Sequence, residues 1–190
     1  MKKILVILVL FLSLLGCERG PLIEDYKIEG IGLGDSLLDF MSEEKIKSEI
    51  ERNKALYKNS GDEFGEVYKL DGLETYDFIS FFVQPNDKKY IIHGIFGSFR
   101  YKDMNKCYER RNEIVEEFST IYINTERENG ILKQPDDPSG ESTITYDYFY
   151  FDSGEKISVE CYYFTNNMES QDDSLSISIV RKELKDFLSD

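Results

Sequence analysis

Histidine occurs once in this chain, at position 93, and cysteine three times. Both scarcities exclude chemistry. A serine or thiol nucleophile is ordinarily activated by a histidine base that a third group holds in place. A transition-metal site draws on several histidines and thiolates. The single histidine lies within Ile91-Ile92-His93-Gly94-Ile95, a strand-like run in which it reads as a packed or edge residue rather than a catalyst. No glycine-rich phosphate loop is present. The acidic pairs Asp136-Asp137 and Asp172-Asp173 lack the alternating oxygen ligands of a calcium loop and read as solvated charge. No catalytic residue, metal or cofactor is therefore assigned.

Basic residues are also scarce: 23 Lys and Arg stand against 37 Asp and Glu, for a formal net charge of −14. Such a chain repels phosphate backbones and anionic headgroups, so nucleic acid is not an expected partner. Solubility is the plain role for this acidic surface. After the first fifteen residues, no run reaches the roughly 20 apolar residues needed to span a bilayer.

What is present begins at the amino terminus. Lys2 and Lys3 precede Ile4 to Leu15, a run apolar at every position except Ser13, with the length and flanks of a signal-peptide core. It ends in Leu14-Leu15-Gly16-Cys17, which resembles the lipobox of bacterial lipoproteins: an aliphatic residue, a tolerated second residue, a small residue and cysteine. The resemblance implies a diacylglyceryl thioether on Cys17, cleavage after Gly16 and acylation of the new amino terminus. Two or three acyl chains anchor firmly where one would be marginal. An ordinary secretory signal ending near a cysteine is the alternative. The expected layout is a signal peptide over residues 1–16, a lipidated tether over 17–25 and one globular domain over 26–190. The expected location is the extracytoplasmic side of an envelope membrane, which is the periplasm in a Gram-negative cell. The leader holds two lysines and no acid, so the remainder carries −16.

With Cys17 committed to lipid, Cys107 and Cys161 remain, and outside the cytoplasm such a pair reads as a disulfide. Cys107, Tyr108, Ile114, Val115, Phe118, Ile121 and Tyr122 recur at helical spacing. Ile157, Val159, Cys161 and Tyr163 alternate as on one face of a strand. A bond between Cys107 and Cys161 would staple that helix to that strand, contributing about 4 kcal/mol by closing a long loop.

Ser42 is the expected cap of a helix over residues 43–52, with Ile46 and Ile50 inward. Strand-like runs follow at 66–70, 78–84 and 90–101, the last two joined by a turn at Pro85-Asn86-Asp87-Lys88. The amphipathic helix spans about 103–124, a polar loop 128–141, and three more strands 143–151, 156–164 and 175–180, before a short polar helix at 181–188. This order predicts an α+β fold. It comprises two helix-plus-three-antiparallel-strand units (α-βββ-α-βββ), helices packed on antiparallel sheet, and a short C-terminal helix.

Gly34-Asp35-Ser36-Leu37 spells the signature of the GDSL esterases, whose serine is the nucleophile. The histidine that this family places near its carboxyl terminus, three residues after an aspartate, has no counterpart here, and neither has its G-x-N-D block. The tetrapeptide therefore reads as a glycine-assisted turn in which Asp35 or Ser36 caps a helix. A hairpin centred on Ser153-Gly154 would put Tyr146, Tyr148 and Tyr150 on the core face with Val159 and Cys161. Phe149, Phe151, Tyr162 and Phe164 would then share the opposite face as a candidate partner surface. Covering by the rest of the domain is the plainer account of those rings.

The stretch from Ile31 to Met41, with Tyr90-Ile91-Ile92, Cys107-Tyr108 and Val159-Glu160-Cys161-Tyr162, resembles parts of a group of small secreted bacterial proteins of unknown function. That resemblance implies a shared fold and the same cysteine pairing, and carries no activity. More loosely, helix followed by three-stranded sheet is similar to the small lipoproteins of outer-membrane assembly and to beta-lactamase-inhibitor-type tandem folds. The expectation is a membrane-anchored, non-enzymatic binding or assembly protein with an envelope protein partner. A small-ligand-binding lipoprotein is the first alternative, and an esterase the distant one.

Overall fold

Serine and aliphatic side chains alternate from Ser174 to Val180. A period of two gives a strand with unlike faces, and this segment forms the central strand of a seven-stranded sheet. The computed structural model describes residues 23, 26–54, 63–69, 71–135, 137–165 and 172–189. The expected signal peptide, Cys17, nearly all of the expected tether and Asp136 lie outside the described residues.

The elements run in chain order as β1 (Lys27–Ile28), β2 (Ile31–Gly32), α1 (Glu43–Asn53), β3 (Gly65–Lys69), β4 (Phe78–Val83), β5 (Ile92–Arg100), α2 (Met104–Ile121), β6 (Glu126–Lys133), β7 (Thr143–Tyr150), β8 (Lys156–Tyr163), β9 (Ser174–Val180) and α3 (Lys182–Ser189). The large sheet is ordered β3-β4-β5-β9-β8-β7-β6, and every neighbouring pair in it is antiparallel. The fold is α+β, with helices packed on antiparallel sheet as expected. Its two halves differ from the expected symmetry. The expected polar loop over 128–141 gives up its first six residues, 128–133, to β6, so the second half contributes four strands. The strand groups also join into one sheet, because β9 pairs with β5 as well as β8. β6 is an edge strand, and edge strands carry charge that mimics a loop in sequence.

One face of the sheet holds the main core. A single row crosses six strands as Val67, Phe81, Ile95, Ile179, Ile157 and Phe149, all fully buried. Helix α2 covers it with Cys107, Ile114 and Phe118, whose ring meets Phe149 edge-on at 5.9 Å. The Cys107–Cys161 disulfide joins α2 to β8. Helix α1 adds Ile46 and sets Ile50 against Gly65, where a β-carbon would lie 2.8 Å from the Ile50 side chain. Ser42 caps α1 as expected, accepting the Lys45 N–H at 3.3 Å. Asp103 does the same for α2 through the Asn105 N–H. No described helix is long and apolar enough to cross a membrane.

Candidate functional site

On the other face of the sheet a helix covers one end only. There α3 lays Leu184 and Phe187 on Phe64, Phe82 and Val180, making a small second core. The helix fits because Gly94 of β5 leaves room: a β-carbon there would stand 2.2 Å from Leu184.

Beyond α3 this face is open, and its floor is serine. Ser80 of β4, Ser98 of β5 and Ser176 of β9 are each at least 93% buried. They line a trough of about 470 Å3 together with Glu66, Tyr68, Phe78, Phe96, Tyr162 and Phe164. Register sets Ser98 beside Ser176, while Ser80 opposes Phe96 and lies diagonal to Ser98. The three hydroxyls have no protein partner among the described residues, and they open onto the trough.

Aromatic pairs wall the trough on two sides. Tyr68 and Phe78 meet at 6.5 Å between centroids, and Tyr162 and Phe164 stack at 6.2 Å. The Tyr68 hydroxyl donates to Glu66 at 3.0 Å. At the mouth Arg100 Nε lies 2.9 Å from the Asp172 carboxylate.

The β6–β8 end of the same face is closed by contrast. Glu160 accepts the hydroxyls of Tyr148 and Tyr162, each at 2.8 Å. Glu128 accepts those of Tyr146 at 3.0 Å and Tyr150 at 3.2 Å. Lys156 sits over the Tyr148 ring at 4.2 Å, and burial pulls its pKa down. Burial, then the nearby Glu160 charge, pushes the Tyr148 and Tyr162 phenols far up. Burial and Glu128 push Tyr150 up to about 12. These phenols therefore stay protonated and serve as donors.

The partner surface expected from sequence is divided by the structure. Phe149 is fully buried under α2, and Phe151 packs on the same side with Tyr122 at 5.2 Å. Tyr162 and Phe164 stand on the open face, and Tyr146, Tyr148 and Tyr150 share that face rather than the core. The cause is one residue of register. Phe151 opposes Glu155 across Asp152-Ser153-Gly154, so Tyr148 pairs with Ser158 and not Val159. A slip of one exchanges the two faces of a strand. Gly154, at φ +101°, makes this three-residue loop possible.

Ser36 donates to the Lys89 carbonyl at 2.6 Å and caps nothing, while Asp35 accepts the Gly32 N–H at 2.9 Å. Both residues hold the turn that ties the N-terminal segment to β5, and neither caps a helix as expected. His93 packs against Phe64 at 5.3 Å, its Nδ1 buried without a partner. Asp137 is not solvated. It is buried in a turn, where hydrogen bonds from Ser142 and Ser139 hold its pKa far down. Asp173 accepts the Phe164 N–H at 2.8 Å. No cluster of three or more His, Cys, Asp or Glu suited to a metal occurs among the described residues.

The serine floor escaped the sequence reading although one signal was there, the Ser-aliphatic alternation of β9. Ser80 and Ser98, each among aromatics, give no such signal. Compared with protein families, with curated proteins and with solved structures, the chain matches none.

Proposed function

We propose that this chain is a lipid-anchored, non-enzymatic binding protein of the cell envelope, and that the serine-floored trough is its binding surface. The observation that carries the reading is the set of three serine hydroxyls, on residues at least 93% buried, that open without a protein partner among the described residues onto an aromatic-walled trough. Fully packed sheets pair or exclude such groups. A surface that withholds them from protein partners holds them ready for a ligand. The lipobox-like leader ending at Cys17 supports the anchor. The engagement of Ser36 with a backbone carbonyl supports a structural role for the Gly34–Leu37 turn.

In-cell photocrosslinking tests the binding surface. A benzophenone side chain placed at Phe164 or Phe78 captures a recurrent adduct, and one at Glu109, on the outer side of α2, does not. Equal capture from all three positions, or none from the trough, contradicts the reading. Cys17→Ser releases the protein from the membrane fraction, and retention there would remove the anchor. Ser36→Ala leaves any ester hydrolysis at its starting level.

A second reading is favoured by the edge strand β6, which is exposed along nearly its whole length and displays Ile131 and Leu132. An extended segment of an envelope protein would add there as an eighth strand. Benzophenone at Ile131 separates the two readings.

A further inference from the structure

We infer that the trough takes an uncharged oligosaccharide; this rests on the trough being the binding surface. A serine hydroxyl both donates and accepts, and the floor offers three without protein partners, on β4, β5 and β9. The backbone beneath them is spent in ladders, since β4, β5 and β9 are each paired on both sides. An extended peptide laid on this floor therefore finds no main-chain edge to add to. A ligand whose own groups are hydroxyls finds both donors and acceptors.

The walls suit the same chemistry. Tyr68 and Phe78 on one side and Tyr162 and Phe164 on the other line the trough, and the electron-rich faces of aromatic rings attract the weakly positive C–H faces of sugar rings. Charge at the mouth is matched internally, Arg100 with Asp172 at 2.9 Å. Glu66, which lines the trough, is engaged by the Tyr68 hydroxyl at 3.0 Å. The 470 Å3 volume lies within the range of small-ligand sites.

The test uses the full-length lipidated protein in a polyoxyethylene detergent, which has no sugar headgroup. Trisaccharides of glucose, N-acetylglucosamine, mannose and galactose are titrated in turn, with spermidine and glucose 6-phosphate as charged comparisons. Calorimetry reads affinity, and saturation-transfer NMR reads which ligand protons touch the protein. The expected result is binding of at least one neutral trisaccharide, with transfer strongest to ring C–H protons. Ser98→Leu, which fills the floor, and Phe164→Ala, which thins a wall without entering the sheet, each weaken it at least tenfold.

The inference is overturned if no trisaccharide binds, if only the charged probes bind, or if affinity changes less than threefold in both variants. Adducts from position 164 alongside silent trisaccharides would sink this inference and leave the trough as a binding surface. Loss of both would sink the two together.

Discussion

The two faces of the sheet put different side chains on one backbone. On the helix-covered face the row from Val67 to Phe149 is aliphatic and aromatic across six strands. One residue further along each strand, the open face reads Tyr68, Ser80, Phe96, Ser178, Ser158 and Tyr148. The first row meets side chains from α2 at close-packed distances. The second interleaves serines with rings, and no helix lies over the serines of β4, β5 and β9 that line the trough. The ladder hydrogen bonds are alike on both, so side-chain size and polarity alone decide which face is filled. The closed tyrosine–glutamate end of the open face sharpens the contrast, since its phenols are paired while the serine hydroxyls beside it are not.

Substitutions on the covered face should act on stability, and the largest belongs to Phe149. Phe149→Ala removes a fully buried ring and should cost about 3–5 kcal/mol, read as a fall in chemical-denaturation midpoint. Opening the Cys107–Cys161 bond by a double alanine substitution should cost roughly 2–4 kcal/mol through the unfolded chain. A reductant should reproduce that loss in the parent protein and do nothing to the variant.

A smaller effect is expected at His93, where the covering helix α3 meets the open face. Burial, aided by the Arg181 charge, holds this imidazole below its ordinary value of about 6.5. The unfolded chain therefore takes up a proton that the folded one resists. Stability is full above pH 6.5 and falls as the pH drops toward the depressed folded value. His93→Phe should flatten that part of the profile. The separate loss nearer pH 4 should remain, because Glu29 and Asp87, whose carboxylates accept backbone N–H groups, stand below their usual range. An unchanged slope between pH 7 and 6 would contradict the assignment.

The smallest effect on stability is expected on the trough floor. Ser80→Ala or Ser176→Ala should shift it by less than about 0.5 kcal/mol, since no protein partner is lost. Either should still weaken capture from position 164. A large destabilisation would show that these hydroxyls belong to packing.

Much of the covered face was legible in sequence. The helical spacing of Cys107, Ile114 and Phe118 and the alternation of Ile157, Val159 and Cys161 placed α2 on β8 and joined the cysteines. The open face was far less legible, and Asp147 shows why. It lies on the core side of β7, paired with Arg111 of α2 and Arg127 of β6. The faces of β7 were assigned from a hairpin centred on Ser153-Gly154, and a charge among the phenylalanines gave no apolar pattern to correct the one-residue slip. The corrective signal was Arg111 itself, four residues after Cys107 and three before Ile114, a charge in the middle of an apolar stripe. β6 was invisible because an edge strand alternating Glu, Arg and Asn gives no apolar period. The trough is assembled from five strands far apart in sequence, so no local pattern could encode it.

The division of labour between the faces is tested most directly by one paired measurement on full-length Ser98→Leu: melting temperature, and capture yield from a benzophenone at position 164 in cells. The account predicts that the melting temperature moves by only a few degrees while capture falls at least tenfold, because the leucine occupies the trough. Undiminished capture with the trough filled would contradict it, and would return the binding surface to another part of the molecule.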